Sequence, residues 1–192
     1  GGSCRPCEAG KYKPSANNTA CVACPPGTQG VSDAAAGNVT EACAVCARGK
    51  YNEQPGRSRC EDCAAGTFGS ENAGVRHNQT LACSLCPTGT FNAYTARSSE
   101  DQCSKCGKGT YSNVRGAISY DTCIDCAAGK YAANEAQSAC TLCAPGKYNV
   151  NDGASTEDQC LECGQGKYNP DAGRSSADAC LECGKGTYNE EE

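Results

Sequence analysis

The 192-residue chain has no methionine, no tryptophan and a single histidine, and Leu, Ile, Val and Phe together number only 16. A chain this poor in core formers cannot offset its ordering entropy by apolar burial. An ordinary single-core domain is therefore excluded, although the length would permit one. No apolar run approaches the roughly 18 residues of a membrane helix, so no membrane insertion is expected within this segment. Basic surface is lacking as well: the net charge is −5, which argues against a nucleic-acid partner. There is no initiator methionine and no signal peptide, so the reading expects a mature chain or a piece of a longer one.

Catalytic patterns are also missing. His77 is the single histidine, in a long polar loop, and the sequence shows no nucleophile–base constellation, paired catalytic carboxylates or phosphate loop. No enzyme activity and no cofactor are expected. Charge is uneven: residues 1–100 carry nine Lys/Arg against eight Asp/Glu, whereas residues 101–192 carry eight against fourteen. This reads as a solvated acidic surface. No spaced-carboxylate calcium loop is present, and Asn151-Asp152-Gly153 reads as a turn. No segment has a helical period.

What the chain has is cysteine. All 20 cysteines fall in ten Cys-x-x-Cys pairs, beginning at residues 4, 21, 43, 60, 83, 103, 123, 140, 160 and 180. These starts bound one continuous array of about ten repeats, 17 to 23 residues apart. Three residues after the second Cys of every pair stands a glycine, from Gly10 to Gly186, and Lys or Thr follows it. An aromatic comes next in nine repeats: Tyr12, Tyr51, Phe68, Phe91, Tyr111, Tyr131, Tyr148, Tyr168 and Tyr188. Gln29 is the exception. Nine of the eleven aromatics thus occupy one slot, which makes its role architectural. The glycine implies a positive φ or a close approach of chains. The Gly-Lys-Tyr stretch reads as a short strand and the polar stretch after it as a turn. The aromatic is expected against a neighbouring disulfide. The longer repeats add residues at Asp33–Gly37 and Glu71–Val75, where insertion is cheap.

Cysteine at this density means a disulfide scaffold or a metal scaffold. Cys-x-x-Cys also serves redox enzymes, but these need a low-pKa thiol at a helix N-terminus, and none is visible. Zinc is permitted by the spacing. Against zinc stand the uniformity of the repeat and three sequons, which imply an oxidising secretory route. The sequons place N-linked glycans at Asn17, Asn38 and Asn78, each four or five residues before a Cys pair. The alternative is that their Ser/Thr only serves the turn, as Ser58, Ser138, Thr156 and Ser176 do in equivalent loops.

The run Cys143-Ala144-Pro145-Gly146-Lys147-Tyr148, followed by Cys160-Leu161-Glu162-Cys163, resembles the ephrin-receptor-like cysteine-rich repeat. It is also similar to the first half of a tumour-necrosis-factor-receptor module. The resemblance covers essentially the whole chain. It implies that the second Cys of each pair bonds forward to the first of the next: Cys7–Cys21, Cys24–Cys43, Cys46–Cys60, Cys63–Cys83, Cys86–Cys103, Cys106–Cys123, Cys126–Cys140, Cys143–Cys160 and Cys163–Cys180. Cys4 and Cys183 are left over. The array is therefore expected to continue in both directions, or else to join adjoining chains through these two residues. The crossed second half of the receptor module and the flanking receptor domains are missing, so ligand binding and signalling do not transfer. Long pure arrays of this repeat resemble extracellular proteins of unicellular eukaryotes more than animal receptors.

The fold class expected is small, disulfide-rich and mostly irregular. It has short β-hairpins, little or no helix and no globular core, and its repeats stack into an elongated rod. Each doubled-back unit reaches at most about 30 Å, at roughly 3.3 Å per extended residue. The leading functional reading is an extracellular structural protein, part of a filament, flagellar hair, cell-surface coat or stalk. Its partners would be other copies or other extracellular structural proteins. The alternatives are a receptor or adhesin ectodomain that binds a protein or glycan, and a zinc or redox protein.

Overall fold

The computed structural model describes residues 4–31, 37–71, 74 and 76–188. The insertions expected at Asp33–Gly37 and Glu71–Val75 fall mostly outside the described residues. Among the described residues the strands form nine two-stranded antiparallel sheets, each of two or three residues per strand. In every one, the segment after the slot glycine pairs with the residues between the two cysteines of the next pair. Lys11–Tyr12 pairs with Val22–Ala23, and Lys147–Tyr148 with Leu161–Glu162.

This register explains the composition of the motif. The Lys/Thr position lies opposite the second residue between the cysteines, and the aromatic lies opposite the first. Lys50 therefore meets Asp62, with Nζ 2.5 Å from the carboxylate, and Lys147 meets Glu162 at 3.6 Å. Where threonine replaces lysine, its hydroxyl turns inward instead. The Oγ1 of Thr28, Thr67, Thr90 and Thr110 donates to the carbonyl three residues back, at 2.6–2.8 Å. One slot thus accommodates either a cross-strand ion pair or a local turn bond.

The strand between paired cysteines also keeps the two from bonding each other. Extended residues three apart are roughly 10 Å apart and face opposite sides. Such cysteines exceed the roughly 7 Å Cα limit for a disulfide, so each must find a partner in another repeat.

Among the described residues helix is confined to single turns. Two four-residue α-helices occur, α1 (Val39–Ala42) and α2 (Gln79–Ala82), both in the longer repeats and both ending directly before a cysteine. Four other repeats have a three-residue 3₁₀ turn at this place, as at Glu157–Gln159. Asn, Ser or Thr starts each turn, and Thr156 and Gln159 form a reciprocal capping box.

Packing divides the chain into two units, Gly1–Cys86 with Asn92–Cys103, and Pro87–Phe91 with Ser104–Glu192. The first holds the disulfides from Cys7–Cys21 to Cys86–Cys103, and the second those from Cys106–Cys123 to Cys163–Cys180. The buried interior of each is mostly sulfur, alanine and small polar residues, joined by Phe68 in the first. The second cysteine of a pair is its centre: Cys24, Cys63, Cys86, Cys106, Cys126 and Cys143 are fully buried. Disulfide sulfur thus fills the place that Leu and Ile take in an ordinary core.

Candidate functional site

The candidate functional element of this molecule is the junction between successive repeats. Nine disulfides cross such junctions, and they are the nine that the resemblance implies, Cys7–Cys21 to Cys163–Cys180. Their Cα–Cα distances are 5.5–5.9 Å, within the ordinary range. Cys4 and Cys183 are free thiols, one exposed and one half-buried.

Backbone rungs run beside each bridge. At the junction closed by Cys126–Cys140, Cys143 N–H donates to Gly129 O at 2.9 Å and Gly129 N–H donates to Asn149 O at 2.7 Å. The Gly153 N–H donates to Cys126 O at 2.7 Å, and Ala132 N–H to Ala154 O at 2.9 Å. The junction closed by Cys24–Cys43 repeats the set: Cys46 to Gly27, Gly27 to Asn52, Gly56 to Cys24 and Gly30 to Arg57. Satisfying the backbone across repeats meets a need that such short strands cannot meet alone.

The slot glycine carries a further constraint. It adopts a positive φ, +84° at Gly129, which a side chain resists. A β-carbon there would also overlap the carbonyl oxygen of Gly173, which belongs not to the next repeat but to the one after it. The same second-neighbour contact joins Gly10 to Gly56, Gly49 to Arg97, Gly89 to Ala136 and Gly109 to Gly153. Packing in the array is thus two repeats deep.

Asparagine makes a connection that the sequence reading missed. Asn52, Asn92, Asn149 and Asn169 directly follow a slot aromatic and are almost fully buried. Each side-chain amide donates to a carbonyl of the preceding repeat, as Asn52 does to Thr28 O at 2.6 Å and Asn92 to Thr67 O at 3.0 Å. Each Oδ1 accepts the N–H two residues on, closing an Asx turn. The signal was present, since Asn follows the aromatic in five of the ten repeats.

The slot aromatics are not equivalent. Phe68 is buried against Cys86 and Cys103, and Tyr12 packs on Cys24, Ala42 and Cys43. Both therefore cover a disulfide of the following repeat. Tyr168 and Tyr188 are exposed. The Tyr51 phenol is pushed above its ordinary value, first by burial, then by the Glu61 carboxylate to which it hydrogen bonds, and then by Glu53.

Gln29, the exception in the slot, lies in a different setting. Its Oε1 accepts the N–H of Cys60 at 3.0 Å. Around it opens a groove of about 710 Å³ lined by residues including Val45, Lys50, Arg57, Arg59, Glu61 and Asp62.

The three sequon asparagines lie on the surface, but Asn38 and Asn78 also have a structural role. Each is an N-cap, with Oδ1 accepting from Glu41 N at 3.0 Å or Leu81 N at 2.8 Å. Thr40 and Thr80 donate to the same oxygens, and in the first repeat Thr19 donates to Asn17 Oδ1. The turn function considered for these residues is real. His77 is exposed, directly before the cap at Asn78. Among the described residues no group of three or more His, Cys, Asp or Glu is arranged to hold a metal, and no helix is long and apolar enough to cross a membrane.

Regularly spaced disulfides, two-stranded hairpins and one motif in every repeat define a tandem cysteine-rich repeat protein. A family model described as tyrosine-protein kinase ephrin type A/B receptor-like matches residues 1–39 and 118–160. The matched segments are similar to that cysteine-rich repeat, and the nine regularly spaced bridges continue the same pattern through the rest of the array. No curated protein matches the chain. Such a repeat, dense in disulfides, is the mark of an extracellular domain.

Proposed function

We propose that this chain is a mechanical element of the cell exterior, a disulfide-stapled rod that serves in a filament, flagellar hair, surface coat or stalk and carries no catalytic role. The observation behind this reading is the direction of the bridges. Every one runs from the second cysteine of a pair forward to the first cysteine of the next. A continuous covalent path therefore leads from Cys7 through Cys21 and Cys24 to Cys43 and onward, bypassing each loop of the array. Force applied along the chain is borne by disulfides and the short strands between paired cysteines, and the loops are shielded from it. The second-neighbour contacts add stiffness, because bending one junction disturbs the two beside it. Variation is concentrated in the shielded loops, where length and glycans can change without altering the path.

Electron microscopy with an antibody to the chain, on the cells that make it, tests this function. Label along extended appendages, coats or stalks supports it. Label confined to sparse positions on the plasma membrane, with no extended structure, would sink it. Single-molecule stretching tests the mechanical part. The oxidised chain should stop extending far short of the contour length that the same chain reaches after reduction.

A further inference from the structure

We propose that the groove beside Gln29 is a binding site for an anionic oligosaccharide. The groove opens beside the one slot that lacks an aromatic. Phe68, two repeats on, covers Cys86 and Cys103. Gln29 stands in the same relation to Cys46–Cys60, where in place of a ring it offers an amide oxygen that accepts the Cys60 N–H. The volume left open, about 710 Å³, lies in the range of small-molecule sites.

The lining decides the class of ligand. Two of its three cations are already paired. Lys50 lies 2.5 Å from Asp62, and Arg57 lies 3.6 Å from Glu61, which also receives the Tyr51 phenol. Arg59 is exposed and has no carboxylate partner among the described residues. The groove therefore has one cation in excess, held in a planar fork that suits a carboxylate or a sulfate. Around it stand the Gln29 amide and the two ion pairs, which offer donors and acceptors side by side. That combination fits the adjacent hydroxyls of a sugar ring. Apolar lining is limited to Val45, Ala47 and the disulfide, which gives no deep pocket for the aromatic or aliphatic anchor of a peptide. The site goes beyond the mechanical reading, because the covalent path through Cys46–Cys60 is intact whether the groove is filled or empty.

Calorimetric titration of the oxidised full chain at low ionic strength tests the proposal. The probes are a sulfated hexasaccharide, a polyuronate hexasaccharide, a neutral hexasaccharide of equal length and a hexaglutamate peptide. At least one of the anionic sugars should bind, and which one does distinguishes sulfate from carboxylate recognition. The neutral sugar and the peptide should bind at least about tenfold more weakly. Arg59→Ala should weaken the anionic sugar about tenfold, the equivalent of about 1.4 kcal/mol for one charge-assisted contact, with an unchanged melting curve. Gln29→Phe, which installs the residue of the Phe68 slot, should close the groove and abolish binding. Failure of both anionic sugars to bind the parent chain would overturn the proposal. So would equal binding by the neutral sugar or the peptide, or full affinity in either folded variant.

Discussion

A methyl group on Gly129 would overlap the carbonyl oxygen of Gly173, so the backbone of one repeat is fitted against a turn two repeats further along the chain. The slot glycine therefore serves two needs, a positive φ and a close approach, and glycines in different surroundings separate them. Gly129→Ala should cost about 3 kcal/mol, combining roughly 1–2 for the left-handed backbone with an overpacking cost of similar size. Gly146 has the same positive φ with nothing near its β-carbon position, and Gly146→Ala should cost about 1 kcal/mol. Gly107 has neither constraint, and its alanine variant should stay within about 0.5 kcal/mol of the parent. Denaturant unfolding of the three variants orders them. A cost at Gly129 no larger than at Gly146 would remove the packing argument.

The turn facing the slot glycine has a left-handed residue of its own. It is Gly56, Gly153 and Gly173 in some repeats but Ala96 and Ala136 in others, both alanines at φ 58°. Relief of this backbone strain is worth roughly 1–2 kcal/mol, and the added freedom of the unfolded chain takes back about 0.4–1. Ala136→Gly should therefore stabilise by about 0.5 kcal/mol, seen as a raised unfolding midpoint.

Aromatic side chains should matter according to what they cover. Phe68→Ala removes a buried ring from the Cys86–Cys103 disulfide and should cost about 3 kcal/mol. Tyr120 touches Phe91 edge-on at 5.8 Å but is 56% exposed. Its alanine variant should lose only about 1 kcal/mol, near the worth of an aromatic pair. Chemical denaturation of the two variants compares them directly.

Each bridge closes a loop with a sequence separation of 14 to 20 residues, worth about 3 kcal/mol by the chain-entropy argument. Reduction should abolish the folded state, whereas a strong metal chelator should leave it unchanged. Circular dichroism and peptide mapping with and without each reagent give the answer. Unfolding by the chelator alone would point to metal in place of sulfur bridges.

Glycosylation at Asn17, Asn38 and Asn78 is compatible with capping, because the cap at Asn38 and Asn78 uses Oδ1 and a glycan attaches through Nδ2. Asn38→Gln should remove a glycan and also weaken α1 by about 1 kcal/mol. Asn38→Asp should remove the glycan but keep the cap. Intact mass before and after amidase treatment reads the glycans, and thermal melting of the two variants reads the cap.

The disulfide-rich class, the ten-fold motif and its short strands were legible in the sequence because each rests on chemistry within a few residues. Ten Cys-x-x-Cys pairs in one register imply a staple in every repeat, and a glycine at one fixed place implies a positive φ or a close approach of chains. The pairing of Cys126 with Cys140 came only through resemblance. Buried Asn149 was visible as a recurrent residue, but its partner, the Lys130 carbonyl at 3.5 Å, lies in another repeat. Which repeat touches which depends on how successive repeats are oriented, and repeats of 17 to 23 residues leave no local trace of that. For the same reason the slot could be recognised as architectural, but not that Phe68 is buried in it while Tyr168 is exposed. Burial is set by whatever the fold brings alongside, and only the tertiary structure supplies those neighbours.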